Sequence, residues 1–187
     1  MTFKQNWEKA ATQHQLPEGA VERMVHLALP NQKLISHAMV TGGCANLNIK
    51  IYLEGGDDLD SAKFSLMILR IYLRDKDAAY REQKIGSILR QTTMELRVPA
   101  PLTHYIGDLD GYRFAITEFM PGITLRDLLL GDLPHDIAAI MYEVGMMLAN
   151  ITTVHTFPRA GFFDKDLNVI TSDALVNESS GGLSNFC

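Results

Sequence analysis

The chain has 187 residues and a net charge of −5, with 47% hydrophobic and 21% charged side chains and a mean hydropathy of zero. That length buries one good core or two small lobes, and the composition is that of a globular protein. The negative balance argues against a nucleic-acid grip, which needs a basic face. No apolar run approaches the roughly 18 residues of a membrane-spanning helix.

"MTFKQNWEKAATQHQ" lacks the apolar core of a signal peptide, so cytoplasmic residence is the default expectation. The two cysteines, Cys44 and Cys187, form neither a disulfide framework nor a metal-ligand spacing. Cys44 is a small residue fitted to a tight loop or a redox-sensitive thiol.

"PEGAVERMVHLAL" carries Val21, Met24, Val25 and Ala28 at helical spacing, with Pro17 near its start. It predicts a short amphipathic helix laid against a sheet. Two strands follow in "HAMVTGGCANLNIKIYLEGG". Leu47, Ile49, Ile51 and Leu53 face one way while Asn48, Lys50 and Tyr52 face the other, the period of a half-buried strand. The joining "TGGCAN" is looser than a tight turn requires. It is an ordinary hairpin loop, or its bare backbone N–H groups cover something anionic.

"EGGDDLDSA" is a second turn, and "KFSLMILRIYL" predicts a strand buried on both faces. A helix is expected from about Asp75 to Thr93, ended by "VPAP". "LTHYIGDLDGYRFAITEF" reads as a hairpin around Asp110-Gly111, a pair suited to positive φ. "MPG" ends it, and Thr124 and Asp127 are placed as a capping box for a short helix. "PHDIAAIMYEVGMMLANITTVH" is a long helix with Ile137, Ile140, Val144, Leu148, Ile151 and His155 along one stripe. "GFFDKDLNVIT" predicts one further strand. The order gives an α+β fold, a five-stranded and mainly antiparallel sheet in front of a helical part.

Two charged residues fall on apolar surfaces. Glu82 precedes Ile85, Gly86 and Leu89 by helical offsets that share its face. Arg70 interrupts the apolar strand "SLMILRIYL". An unpaired charge at either place costs several kcal/mol, on the order of a lost buried partner. They pair with each other for the fold alone, they reach out to solvent, or they form part of a site.

Glycine loop, strand, strand with a basic residue, helix with a glutamate, then a hairpin leading to helices: this ordered set resembles the amino-terminal half of an aminoglycoside phosphotransferase or choline-kinase-type enzyme. That family is a small-molecule branch of the protein-kinase-like fold. The likeness is carried by "GGCAN", "MILRIY", "REQKIGSIL", "VPAPL", "FAITEFMPGITLRDLL" and "IMYEVGMMLANITTVH", over roughly residues 33 to 170.

The resemblance implies a nucleotide loop at Gly42, Gly43, Cys44 and Asn46, whose backbone covers the phosphates of ATP or GTP. It implies that Arg70 contacts phosphate oxygens, anchored by Glu82. Lysine is the commoner residue there, and a planar fork is not a point charge. Adenine would bond backbone groups of about Thr117 and Phe119, with Ile116 or a near neighbour at the back of that pocket. The implied organisation is a nucleotide-binding lobe over 1–117, a hinge over 118–123, the start of a helical lobe over 124–175 and a flexible tail over 176–187. Magnesium is expected for the complete enzyme, and the partners are nucleotide and a small hydroxyl-bearing substrate, with no nucleic acid and no membrane.

The family's catalytic loop, H-G-D-x(4)-N, does not occur in the sequence. His135 and Asp136 are adjacent and precede the long helix. Asn168 follows Asp166 by two residues where the motif requires five, and no histidine precedes it. His155 is expected to be a packed residue at a helix end, not an acid or base. The chain is therefore expected to be a truncated product or gene fragment, inactive alone, with a dimer possible through its uncovered long helix. A non-catalytic nucleotide-binding module and a pure interaction domain remain as alternatives.

Overall fold

The computed structural model describes residues 16–40, 46–54, 65–91, 98–131, 134–154 and 161–170. The chain divides into two compact units, Met1–Ala79 with Pro101–Ile123, and Tyr80–Ala100 with Thr124–Cys187.

The first unit is built on helix α1 (Ala20–Ala28) and strands β1 (Leu34–Val40), β2 (Asn46–Leu53), β3 (Ser65–Tyr72), β4 (Thr103–Leu109) and β5 (Tyr112–Glu118). The five strands form one sheet in the order β1-β2-β3-β5-β4, every neighbouring pair antiparallel. The period-2 pattern of β2 decides which face is dry. Leu47, Ile49, Ile51 and Leu53 are buried, and they join Leu69, Ile71, Phe114 and Ile116 beneath Val21, Met24 and Val25 of α1. Each such side chain contributes about 1.5–3 kcal/mol of transfer free energy.

The expectation for β3 is corrected here. Only Leu69, Ile71 and Tyr72 are buried, and Leu66, Ile68 and Arg70 on the other face are half-buried. The two faces of this apolar run therefore differ: α1 covers Leu69 and Ile71, while the other face is buried only at its Tyr72 end, against Ala79 and Ala115.

Asp110 and Gly111 form the β4–β5 turn with φ of 51° and 83°. Asparagine, aspartate and glycine tolerate that region, which suits a two-residue hairpin. Arg23 of α1 reaches Asp110 Oδ2 at 3.0 Å, and Lys76 Nζ donates to the Gly111 carbonyl at 2.9 Å. The turn is thereby tied to α1 on one side and to the segment after β3 on the other.

Helix α2 spans Ala78–Gln91. Its entry is capped by Asp75, whose Oδ1 accepts from the N–H groups of Asp77 and Ala78 at 3.0 and 3.2 Å. Helix α3 (Leu125–Leu130) starts at Thr124, whose hydroxyl accepts from Asp127 N–H at 3.0 Å. Helix α4 spans Ile137–Val154, inside the predicted bounds, and Asp136 accepts from Ala139 N–H at its start. His155 lies outside the described residues.

"GFFDKDLNVIT" holds two short strands where one was expected, β6 (Phe162–Phe163) and β7 (Val169–Ile170), paired antiparallel. The reversal is local chemistry. Asp164 accepts from the N–H groups of Asp166 and Asn168 and from the Asn168 amide, while Leu167 takes φ of 65°. No described helix is long and apolar enough to cross a membrane.

Candidate functional site

The face of the sheet turned away from α1 is the candidate site. Strand alternation puts Asn48, Lys50 and Tyr52 of β2 there, with Leu66, Ile68, Arg70 and Tyr72 of β3 and Ala115 and Thr117 of β5. The register orders them into rows. Asn48 lies opposite Arg70, and Arg70 opposite Ala115. In the next row Lys50 faces Ile68, and Ile68 faces Thr117.

The two ends of this face differ. At one end Tyr72 and Ala115 are buried and pack with Ala79, with Ala78 and Ile106 against them. At the other, the Lys50 ammonium stands 5.1 Å from the centroid of the Phe119 ring. A cation over an aromatic face is worth about 0.5–1 kcal/mol where water reaches it. Arg70 sits between these ends, half-buried, and its Nε–H donates to Asn48 Oδ1 at 2.8 Å.

Thr117 lies within the ladder, opposite both Ile68 and Thr103. Glu118 closes β5 with a two-way link to Leu102. Its N–H donates to the Leu102 carbonyl at 2.8 Å, and its carboxylate accepts from Leu102 N–H at 3.1 Å. Phe119 is the first residue past the strand, so strand pairing does not commit its backbone groups. Ile116 is fully buried in the α1-side core, one residue out of phase with the Arg70 face. Ala115 and Thr117 take the places on the open side.

Of the sequence-predicted site residues, Arg70 and Thr117 fall on this one face, Phe119 follows at the end of β5, and Asn46 begins β2 at its margin. Gly42, Gly43 and Cys44 lie outside the described residues. Glu82 is half-buried on α2, in the second unit. Sequence reasoning placed Asn48 and Lys50 on the polar side of β2 but assigned them no role. The signal was available in part, because asparagine and lysine are poor strand formers and their presence there asks for a reason.

A family model described as the phosphotransferase enzyme family matches residues 42–173, a span that runs from the glycine loop through β7. The chain belongs to that family. Comparison with curated proteins finds no match. In a phosphotransferase enzyme of this kind the work is mostly positioning and charge neutralisation of phosphoryl oxygens. A half-buried arginine beside apolar Ile68 and Ala115 suits an anion with a flat, apolar neighbour. Among the described residues no group of three His, Cys, Asp or Glu side chains is gathered as metal ligands.

Proposed function

We propose that the chain supplies the nucleotide-binding part of a phosphotransferase that moves the γ-phosphoryl group of ATP or GTP to a hydroxyl of a small molecule. One observation carries the reading: a single open sheet face gathers Arg70, Lys50, Asn48 and Thr117, with Phe119 at its margin, within the span of the family match. On that face Arg70 contacts phosphate oxygens, and Ile68 and Ala115 give the base an apolar floor. The backbone of Phe119 bonds the rim of the base, with Thr117 beside it. Gly42, Gly43, Cys44 and Asn46 cover the phosphates from the β1–β2 connection. Glu82 is the residue that the family resemblance assigns as the anchor of Arg70. The hinge is 118–123, between the sheet and α3.

One sequence fact limits the role of the chain by itself. It contains no H-G-D-x(4)-N segment, so no residue is assigned to position the acceptor hydroxyl. The same fact favours the second reading, a nucleotide-binding module without turnover. Association through α4 is supported by its exposed apolar side chains, among them Met141, Tyr142 and Leu148.

Thermal unfolding of residues 1–187 with ATP, GTP and adenosine tests the proposal. A bound nucleotide raises the melting temperature by an amount set by its excess over the dissociation constant. Arg70→Ala is expected to abolish most of the shift given by the triphosphates and little of that given by adenosine. Glu82→Gln, which keeps shape and removes charge, is expected to reduce it by a smaller factor. No shift with any nucleotide would remove the nucleotide-binding reading and leave an interaction domain.

A further inference from the structure

Asparagine is among the residues least suited to a strand interior, yet Asn48 stands in β2 between Leu47 and Ile49, both fully buried on the other face. A local rule broken in this way asks for a compensating contact. The contact is Arg70, directly across the ladder, whose Nε–H donates to Asn48 Oδ1 at 2.8 Å. Because Nε–H is a donor, the amide is oriented with its oxygen toward the guanidinium and its NH2 away from it.

The bond does little that the backbone has not already done. β2 and β3 pair without a break from Asn46↔Tyr72 to Leu53↔Ser65, so one side-chain link adds nothing to register. What the ladder does not fix is the plane of the guanidinium. Nε is the nitrogen on the stem side of that plane. Holding it sets the rotation of the whole planar group and the direction in which its two Nη groups fork.

We propose that Asn48 is a positioning residue for the phosphate chain of the nucleotide, acting through Arg70. Its oxygen turns the guanidinium so that the Nη edge faces the phosphates, and it removes rotamer freedom that ligand binding would otherwise have to remove. The inference rests on the reading of Arg70 as the phosphate contact. It adds a specificity rule: phosphate affinity depends on Asn48, and affinity for the base does not.

The test compares wild type, Asn48→Val, Asn48→Ser and Asn48→Asp in the full chain. Calorimetric affinities are measured for ATP and for adenosine. Exchange of the Arg70 Nε–H with water is followed by NMR, its signal assigned by loss in Arg70→Lys. Valine suits a strand and has no acceptor; serine is too short to span the pair. In both, Nε–H exchange is expected to accelerate about tenfold, the size of one charge-assisted bond. ATP affinity is expected to fall about tenfold, with adenosine unchanged within about twofold. Aspartate keeps the acceptor and is expected to keep the slow Nε–H exchange.

If valine does not fold, serine decides. Faster exchange with ATP affinity unchanged, or with ATP and adenosine weakened alike, would show a bond that only staples two strands and would overturn the inference alone. Slow exchange retained in Asn48→Val would overturn it too. Wild type that binds neither ATP nor adenosine would overturn the parent reading and this one with it.

Discussion

Strand β2 and helix α4 are both strongly apolar, and their side chains end in opposite places. Leu47, Ile49, Ile51 and Leu53 are at most 1% exposed, whereas Met141, Tyr142 and Leu148 are 51%, 67% and 58% exposed. The difference lies in arrangement more than in content. β2 concentrates its apolar residues on one face, and α1 presents one complementary stripe of Val21, Met24 and Val25. In α4 the apolar residues run around the helix, with Met141 beside Tyr142 and Met146, Met147 and Leu148 in succession. Successive residues are about 100° apart, so no single neighbouring element covers them all.

The comparison is broken or sharpened most strongly by truncation in each element. Ile49→Ala removes a fully buried side chain from the centre of the sheet core and is expected to cost about 2–5 kcal/mol in urea unfolding. The neighbours are strands fixed by their ladders, so the cavity cannot collapse freely. A cost below about 1 kcal/mol would mean that the first unit's core is not what holds that unit together.

Much of the first unit was legible because one physical rule dominated at each place. The alternation in "NLNIKIYL" marks β2, and Asp110-Gly111 marks the hairpin turn by its tolerance of positive φ. The run "SLMILRIY" was over-read, because an apolar strand does not say how many of its faces find a partner. The same limit applies to α4, where a six-residue stripe was read and the apolar surface proves wider. At the site, Arg70 announced itself as a charge in an apolar run. Asn48 did not, because its meaning depends on the β2–β3 register, and the connecting segment does not reveal that register. Along β5 a one-residue phase likewise exchanges the core face, which holds Ile116, for the open one, which holds its neighbours Ala115 and Thr117.

A smaller effect belongs to Thr124, the only described hydroxyl that caps a helix start here. Thr124→Ala leaves Asp127 N–H without its acceptor at the entry to α3. The expected cost is about 1 kcal/mol, confined to that short helix. It is read as faster amide exchange over Leu125–Leu130, with little change in global unfolding.

Smaller still is the effect expected in α4. Leu148→Ala is expected to change stability by no more than about 0.5 kcal/mol, because most of the side chain already meets water. Leu148→Glu tests the same surface differently: it is expected to leave unfolding unchanged and to lower self-association in sedimentation at high concentration. Truncation at Leu148 as costly as at Ile49 would show α4 covered in solution and would remove the contrast.

The finest prediction concerns the β6–β7 turn, an element held by polar groups where the sheet is held by apolar ones. Phe162 is 70% exposed, so burial contributes little to that hairpin. Its organiser is Asp164, whose carboxyl is held below its ordinary value of 3.8, first by the Asn168 side-chain amide. The Asn168 N–H lowers it next, burial opposes, and the Asp166 N–H and the charge of Lys84 lower it by less. Lys84 also pairs with Asp166 across from α2. The sign follows from linkage: a depressed folded-state value means that ionised Asp164 favours the folded turn. That contribution is complete above the unfolded value and is lost as pH falls through the lower, folded one. Carboxyl NMR titration is expected to give a midpoint below 3.8 for Asp164. Asn168→Ala should raise it, because it deletes the amide donor, and Lys84→Met should raise it less, because it removes only a screened surface charge. A wild-type midpoint at or above the ordinary value would mean that these donors do not hold the carboxylate in solution, and the hairpin would then lack the one interaction set that explains its turn.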